Sequence, residues 1–214
     1  MGKWGVIVVD LQGDFTEWKK GSLAVAGSDE NYVKNVERAT RRLKEAGLPI
    51  FGSQDWHPPD HISFAPNHPG KKPFDTIEIE GRTQVLWPRH CVQGTENARI
   101  VIDNNLFLAV VKKAQDRSLE SYSVFQDEGG VRTMMETILR TNGVGRLVIY
   151  GIATDYCVRA TALDGRAAGF EVTVVEDLCR GVSPDTTAAA LAEIKREGVR
   201  VTPSLDDILG EITA

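Results

Sequence analysis

The sequence predicts an α/β fold, a three-layer α/β/α sandwich in which a parallel sheet is covered by helices on both faces. Three observations point there. Short runs such as Leu147-Val148-Ile149-Tyr150 are apolar and rich in β-branched residues, without the polar alternation of a sheet that faces water on one side. These runs alternate with segments whose apolar residues recur at helical spacing, the pattern of crossover units in a parallel sheet. With 214 residues, 42% of them hydrophobic and 26% charged, the chain reads as one domain (1–214) that buries a full core without staples.

Taken in order, residues 4–9 form a first strand ending at Asp10, followed by a polar loop. Val33, Val36, Ala39 and Leu43 lie at helical spacing within 31–46, and Gly47 with Pro49 ends that helix. A second strand, 50–54, follows. Residues 55–105 then lack sustained periodicity and hold all four histidines and, with Pro49 just before them, seven of the nine prolines. So long an irregular stretch inside a domain is expected to build a site. A third strand, 106–111, runs into Lys112 and Lys113, and a loop, 114–130, leads to a helix over 131–142. The fourth strand, 147–150, turns at Gly151 into a helix over 154–168 for which Thr154 is the expected N-cap. A fifth strand (170–175), a helix opened by Ser183-Pro184, a short strand (199–202) and a terminal helix (205–212) complete the chain.

Composition excludes several function classes. A formal net charge of -5 argues against nucleic acid and against an anionic membrane surface. No apolar run has membrane-spanning length, and the start MGKWGVIVVD lacks a signal-peptide core and a myristoylation signal. Three cysteines without a CxxC argue against a disulfide framework, so a cytoplasmic location is expected. There is neither GxGxxG after the first strand nor a Walker sequence, which leaves nucleotide cofactors unsupported. Oligomeric state is not legible here, and a homo-oligomer stays open.

Asp10, Asp55, Lys113 and Cys157 each follow a strand, which gathers four chemically capable residues at one edge of a parallel sheet, where such sheets bind ligands. Cys157 falls in a helix's first turn, where unpaired N–H groups and the dipole favour a thiolate and can hold an oxyanion. A small buried hydrophobe is the equally common alternative. Lys113 ends an apolar strand and needs a partner; Lys112 fits a solvated strand end equally well. Asp55, His57, His61 and His90, a carboxylate with imidazoles, suit a divalent zinc, iron or manganese ion. His68 reads as surface, Cys179 as structural, and Cys91 as buried or a soft ligand. Phe15, Trp87, Tyr122 and Tyr156 could sandwich a flat ring.

The stretches VDLQGDF (9–15), QDWHPPDH (54–61), LWPRHCVQGT (86–95), VKK with SYSVF (121–125) and GIATDYCV (151–158) together resemble the nicotinamidase/pyrazinamidase branch of the isochorismatase-like cysteine hydrolases. That resemblance implies a six-stranded, Rossmann-like parallel sheet ordered 3-2-1-4-5-6. It maps a catalytic triad onto Asp10, Lys113 and Cys157, the lysine chosen because it stands eight residues before Ser121. The family usually has glycine after this lysine, where Ala114 stands. Metal ligands map onto Asp55, His57 and His90, with His61 or Ser63 at a further, variable position. A cis peptide is implied at Ile152-Ala153, an oxyanion hole at the Ala153 and Cys157 amides, and a ring site between Phe15 and Trp87. The implied activity is hydrolysis of nicotinamide, with pyrazinamide also accepted, to the acid and ammonia through a thioester, within NAD salvage. Two alternatives are kept: a related amide or ureide hydrolase, and a hydrolase using metal-bound water beside an incidental cysteine.

Overall fold

The computed structural model describes residues 2–79 and 81–213. Its strands are β1 (Lys3–Val9), β2 (Ile50–Asp55), β3 (Thr76–Ile79), β4 (Arg82–Val85), β5 (Ala109–Lys113), β6 (Val144–Ile152), β7 (Glu171–Arg180) and β8 (Arg200–Thr202). Its α-helices are α1 (Glu30–Glu45), α2 (Met135–Thr141), α3 (Arg159–Ala167), α4 (Pro184–Arg196) and α5 (Asp206–Thr213).

Val6, Ile7, Val8 and Val9 of β1 are all buried, so side chains on both faces of this strand need a covering layer. At about 1.5–3 kcal/mol for each fully buried aliphatic side chain, the run places β1 at the centre of the core. Parallel neighbours extend it into a six-stranded sheet ordered β5-β2-β1-β6-β7-β8, which is the expected 3-2-1-4-5-6. The direction of strand order reverses between β1 and β6, and the crevice beyond their carboxyl ends is the site position of such sheets. Gly151 lets the two strands close there: at φ 135°, a Cβ on it would stand 2.1 Å from the Val9 carbonyl oxygen.

Helix α1 turns Tyr32, Val33, Val36, Ala39, Thr40 and Leu43 inward and is capped by Asp29, whose carboxylate accepts from Tyr32 N at 2.8 Å. From the same helix the Tyr32 hydroxyl reaches the Leu178 carbonyl at 3.0 Å and the Gly151 carbonyl at 3.4 Å, tying it to the end of β6.

Several boundaries differ from expectation, each for a local reason. The irregular stretch contains an antiparallel hairpin of β3 and β4, with Thr76 opposite Val85 and Ile79 opposite Arg82. The third sheet strand starts at Ala109 because Asn104–Leu106 forms a 3-10 turn whose Asn105 N–H is taken by the Asp103 side chain. Helix α2 starts four residues late: Thr133 N donates to the Phe125 carbonyl and Asp127 N to that of Val131, which holds 131–133 extended. The fifth strand continues to Arg180, which puts Cys179 within β7. Thr154 is not the cap of the cysteine helix; Ala153 occupies that position, and Thr154–Val158 forms a π-helical turn leading into α3.

Tyr150 is wholly buried, and its hydroxyl lies 2.8 Å from Thr40 Oγ1, whose own proton goes to the Val36 carbonyl at 2.7 Å. Tyr150 is therefore the donor to Thr40. Thr40→Val should cost about 1–3 kcal/mol in urea unfolding, and adding Tyr150→Phe should recover part of that loss.

Candidate active site

Lys113 is buried, its side chain 0% exposed. Alternation along β5 decides which lysine this is: Lys112 faces out and lies over the Trp56 ring at 3.8 Å, whereas Lys113 faces in. An ammonium buried this deeply needs acceptors on every side. Lys113 Nζ stands 3.0 Å from Asp10 Oδ2, donates to Asp55 Oδ1 and to the Ser121 carbonyl (2.6 Å), and lies 3.5 Å from Cys157 Sγ. Asp10 leaves β1 at φ 44°, with Ser53 Oγ accepting from its N–H (3.1 Å) and donating to its Oδ1 (2.7 Å). Gln12 clamps the end of β2 from both sides, accepting from Asp55 N at 2.7 Å and donating to its carbonyl at 2.9 Å. Ala114, in the place of the family's glycine, has φ 54°.

Cys157 is buried in the π-helical turn, and the peptide before Ala153 is cis. Burial pushes its thiol well up, Lys113 opposes that, and the carboxylates of Asp10 and Asp55 add to it. The expectation of a thiol lowered by the helix start thus runs against the burial of Cys157, which raises it. Burial also raises Asp10, to about 6, against the pull of Lys113.

Beside this cluster the segment after β2 pairs briefly with residues 91–93: His57 N donates to the Cys91 carbonyl (3.0 Å) and Gln93 N to that of His57 (2.9 Å). This pairing brings the rings of His57 and His90 to 4.7 Å. One ligand atom each from Asp55, His57 and His90 falls within a 4.8 Å group. His90 uses Nδ1 on the Pro88 carbonyl, leaving Nε2 for another ligand, and His57 Nδ1 is buried with no partner. A buried lone donor atom beside a second imidazole and a carboxylate fits a divalent transition ion. Burial and then the neighbouring His57 lower His90 to about 4. Burial opposes a charged His57 as well, but Glu120 and Asp55 outweigh it and leave it raised. His61 bonds Ser63 Oγ at 2.8 Å and the Leu119 carbonyl at 3.1 Å, so both its ring nitrogens are engaged, while His68, half-buried, bonds the Ile62 carbonyl at 2.6 Å.

A pocket opens onto both clusters. Phe15, Trp87, Tyr122 and Tyr156 line it with Ala153, Cys157, Asp55 and His90. Trp87 meets Tyr156 edge-on at 4.9 Å, and Phe15 lies 5.4 Å from the His90 ring, which leaves a slot suited to a flat, largely apolar molecule.

The isochorismatase domain family matches residues 5–206. The chain belongs to the isochorismatase family. A nicotinamidase of Acinetobacter baylyi is 41% identical to it over 180 residues, 83% of this chain and 81% of that one. Among solved structures, an Acinetobacter baumanii nicotinamidase/pyrazinamidase superposes with TM-score 0.87 at 35% identity, covering 96% of this chain and 98% of the other. The pyrazinamidase of Pyrococcus horikoshii in complex with zinc gives TM-score 0.78 at 38% identity over 94% and 98%.

Within this isochorismatase-family site, Asp10, Asp55, Lys113 and Cys157 meet as one group, His57 and His90 adjoin it, and the four aromatics surround the opening. His61 and Ser63 lie behind His57, bonded to each other. Cys91 and Cys179 are buried and unpaired, Cys91 donating its N–H to Asp14 Oδ2 at 2.7 Å. Sequence reasoning gave no role to Gln12, Ser53 or Glu120. The first two show only as polar residues near strand ends, and nothing in its spacing marks Glu120.

Because Lys113 draws the thiol down, Lys113→Met should raise the pH at which iodoacetamide labels Cys157. Lys112→Met should leave that pH unchanged. Coincident labelling profiles for the two variants would reverse this assignment.

Proposed function

We propose that this chain is a metal-containing cysteine amidohydrolase that converts nicotinamide to nicotinate and ammonia through a thioester, and that it also accepts pyrazinamide. One observation carries the reading: a buried lysine contacts Asp10, Asp55 and Cys157, the last two of which line an aromatic slot, with two histidines beside them. The nicotinamidase and pyrazinamidase relatives support the substrate class.

Asp10, Lys113 and Cys157 are the catalytic residues. Cys157 Sγ attacks the carboxamide carbon while its proton passes to Asp10 Oδ2, the carboxylate oxygen that faces Lys113 at 3.0 Å while Ser53 holds Oδ1. With the thiol raised and Asp10 near 6, a separated thiolate is uphill, so proton transfer accompanies carbon–sulfur bond formation. Negative charge then moves to the carbonyl oxygen, for which the Ala153 and Cys157 amides are the donors. Collapse breaks the carbon–nitrogen bond, and Asp10 returns the proton to the departing ammonia. Water next attacks the thioester, gives its proton to Asp10, and releases the acid; that proton restores the thiol. Lys113 balances the charge of Asp10 and Asp55 throughout.

Asp55, His57 and His90 would hold a zinc, iron or manganese ion, with His61 or Ser63 the candidates for any further ligand. When bound, the ion supplies a Lewis acid that anchors the ring nitrogen. Phe15 and Trp87 flank the ring, and Tyr122 and Tyr156 close the slot, so that position rather than activated water sets the rate. Residues 1–214 act as one hydrolase domain in the cytoplasm, within NAD salvage. Among the described residues no helix is long and apolar enough to cross a membrane, and all three cysteines are free.

An ammonia-release assay over a carboxamide panel, with metal content measured on the same sample, tests the reading. Cys157→Ala should lose essentially all turnover yet keep its metal. His57→Ala should lose metal and on the order of 10²-fold or more in rate, while Cys157 still alkylates at the wild-type rate. Turnover surviving in Cys157→Ala would favour metal-bound water as nucleophile.

A proton on Asp10 disables the base, so kcat/KM should fall toward acid pH. Ser53 donates to the charged carboxylate and thereby lowers Asp10. Ser53→Ala should therefore move the acid limb of the kcat/KM profile to higher pH, and a limb that stays put would remove Asp10 as the titrating base.

A further inference from the structure

Glu120 belongs to the loop between β5 and α2, yet it is only 4% exposed. A carboxylate held away from water persists where its charge is answered by donors. Glu120 Oε1 accepts from Ser121 N at 2.9 Å and lies 3.4 Å from His57 Nε2. An ionised carboxylate only accepts, so the proton of this contact sits on Nε2. A neutral imidazole carries one such proton, and the other nitrogen, Nδ1, then presents a lone pair. Among the described residues that atom is buried and has no hydrogen-bond partner.

We infer that Glu120 is a positioning residue for the metal centre, fixing His57 in the tautomer and ring orientation that leave Nδ1 free to bind the ion. This rests on the reading above that Asp55, His57 and His90 hold a metal. The two nitrogens of an imidazole point to opposite sides of the ring, so a carboxylate engaged with Nε2 stands across the ring from an ion on Nδ1. Metal-bound histidines commonly hold their second nitrogen in this way, and the outer partner raises the basicity of the ligand.

A different arrangement would make Glu120 itself a ligand, because His57, His61 and Glu120 also offer atoms within 4.8 Å of one another. That group has no free imidazole nitrogen on His61. Both ring nitrogens of His61 are spent on Ser63 and Leu119, and Glu120 Oε1 serves two donors. The unpartnered atom lies on the other nitrogen of His57, and it is the feature that calls for a cation.

Glu120 is joined to the second half of the site only through its neighbour Ser121, from whose N–H it accepts at 2.9 Å. The carbonyl of its neighbour Ser121 accepts from Lys113 Nζ at 2.6 Å. Truncating the Glu120 side chain therefore removes the support of His57 while leaving the contact to Lys113. The two halves of the site can be read separately in one set of variants.

The experiment measures zinc affinity by competition with a chromophoric chelator for the wild type, Glu120→Ala, Glu120→Gln and His57→Ala, together with the iodoacetamide rate of Cys157. Glu120→Ala should weaken zinc by about 10–100-fold. Glu120→Gln, whose amide oxygen accepts the same hydrogen bond, should stay within a few-fold of wild type (about 2–5-fold), and the Cys157 rate should be unchanged in both. Equal zinc affinity in the wild type and Glu120→Ala overturns this inference alone. Loss in Glu120→Gln as large as in Glu120→Ala makes the carboxylate a direct ligand and overturns it as well. A wild type that binds zinc no better than His57→Ala overturns the metal reading itself, and this inference with it.

Discussion

One ammonium, buried at the end of an edge strand, sets the terms for the working end of this molecule. Removing a charge from water costs several kcal/mol even after the protein relaxes, and only close opposite charge recovers it. Lys113 meets that demand by drawing in the carboxylates that end β1 and β2, so three parallel strands must finish level with one another. Their shared register is the condition for burying the lysine at all. The thiol arrives from the fourth strand, β6, across the switch point, and shares the same desolvated space. Burial, and after it the two carboxylates, favour the protonated thiol there, against the pull of the ammonium.

Asp55 links this cluster to the histidines. It ends β2, bonds Lys113, and contributes an atom to the group with His57 and His90. The strand ends hold one half of the site through regular pairing. A brief loop-to-loop ladder between His57 and Val92 holds the other, and Gln12 grips the backbone of the residue common to both. A disturbance in the histidine loop thus has two routes to the Lys113 cluster, through Asp55 and through the Glu120–Ser121 segment.

The sheet was legible because its strands are buried on both faces and their apolar runs say so. The six strands, their order and the edge that carries Asp10, Asp55, Lys113 and Cys157 all follow from that pattern together with the family resemblance. What escaped had local causes. The β3–β4 hairpin does alternate in TIEI and turns at Gly81, but four-residue strands are too short to stand out among prolines. The late start of α2 depends on hydrogen bonds to Phe125 and Asp127 that spacing cannot reveal. The burial that raises the Cys157 thiol is not legible either, because a helix start can be read from sequence whereas the depth at which it is buried cannot. Glu120 becomes visible only in three dimensions, since its partner His57 lies 63 positions away.

The convergence of β1, β2, β5 and β6 on one point also bears on how the chain reaches its working state and keeps it. Parallel pairing joins segments that are far apart in sequence, so loop-closure entropy must be met before any of these contacts forms, which makes such topologies slow to fold. No local piece of the chain can assemble the group ahead of the sheet. Catalytic competence is then a report on the whole fold. Substitutions scattered through the core, none near the pocket, would silence the protein by lowering its folded abundance, and a loss of only 1–2 kcal/mol can change that abundance several-fold in a cell.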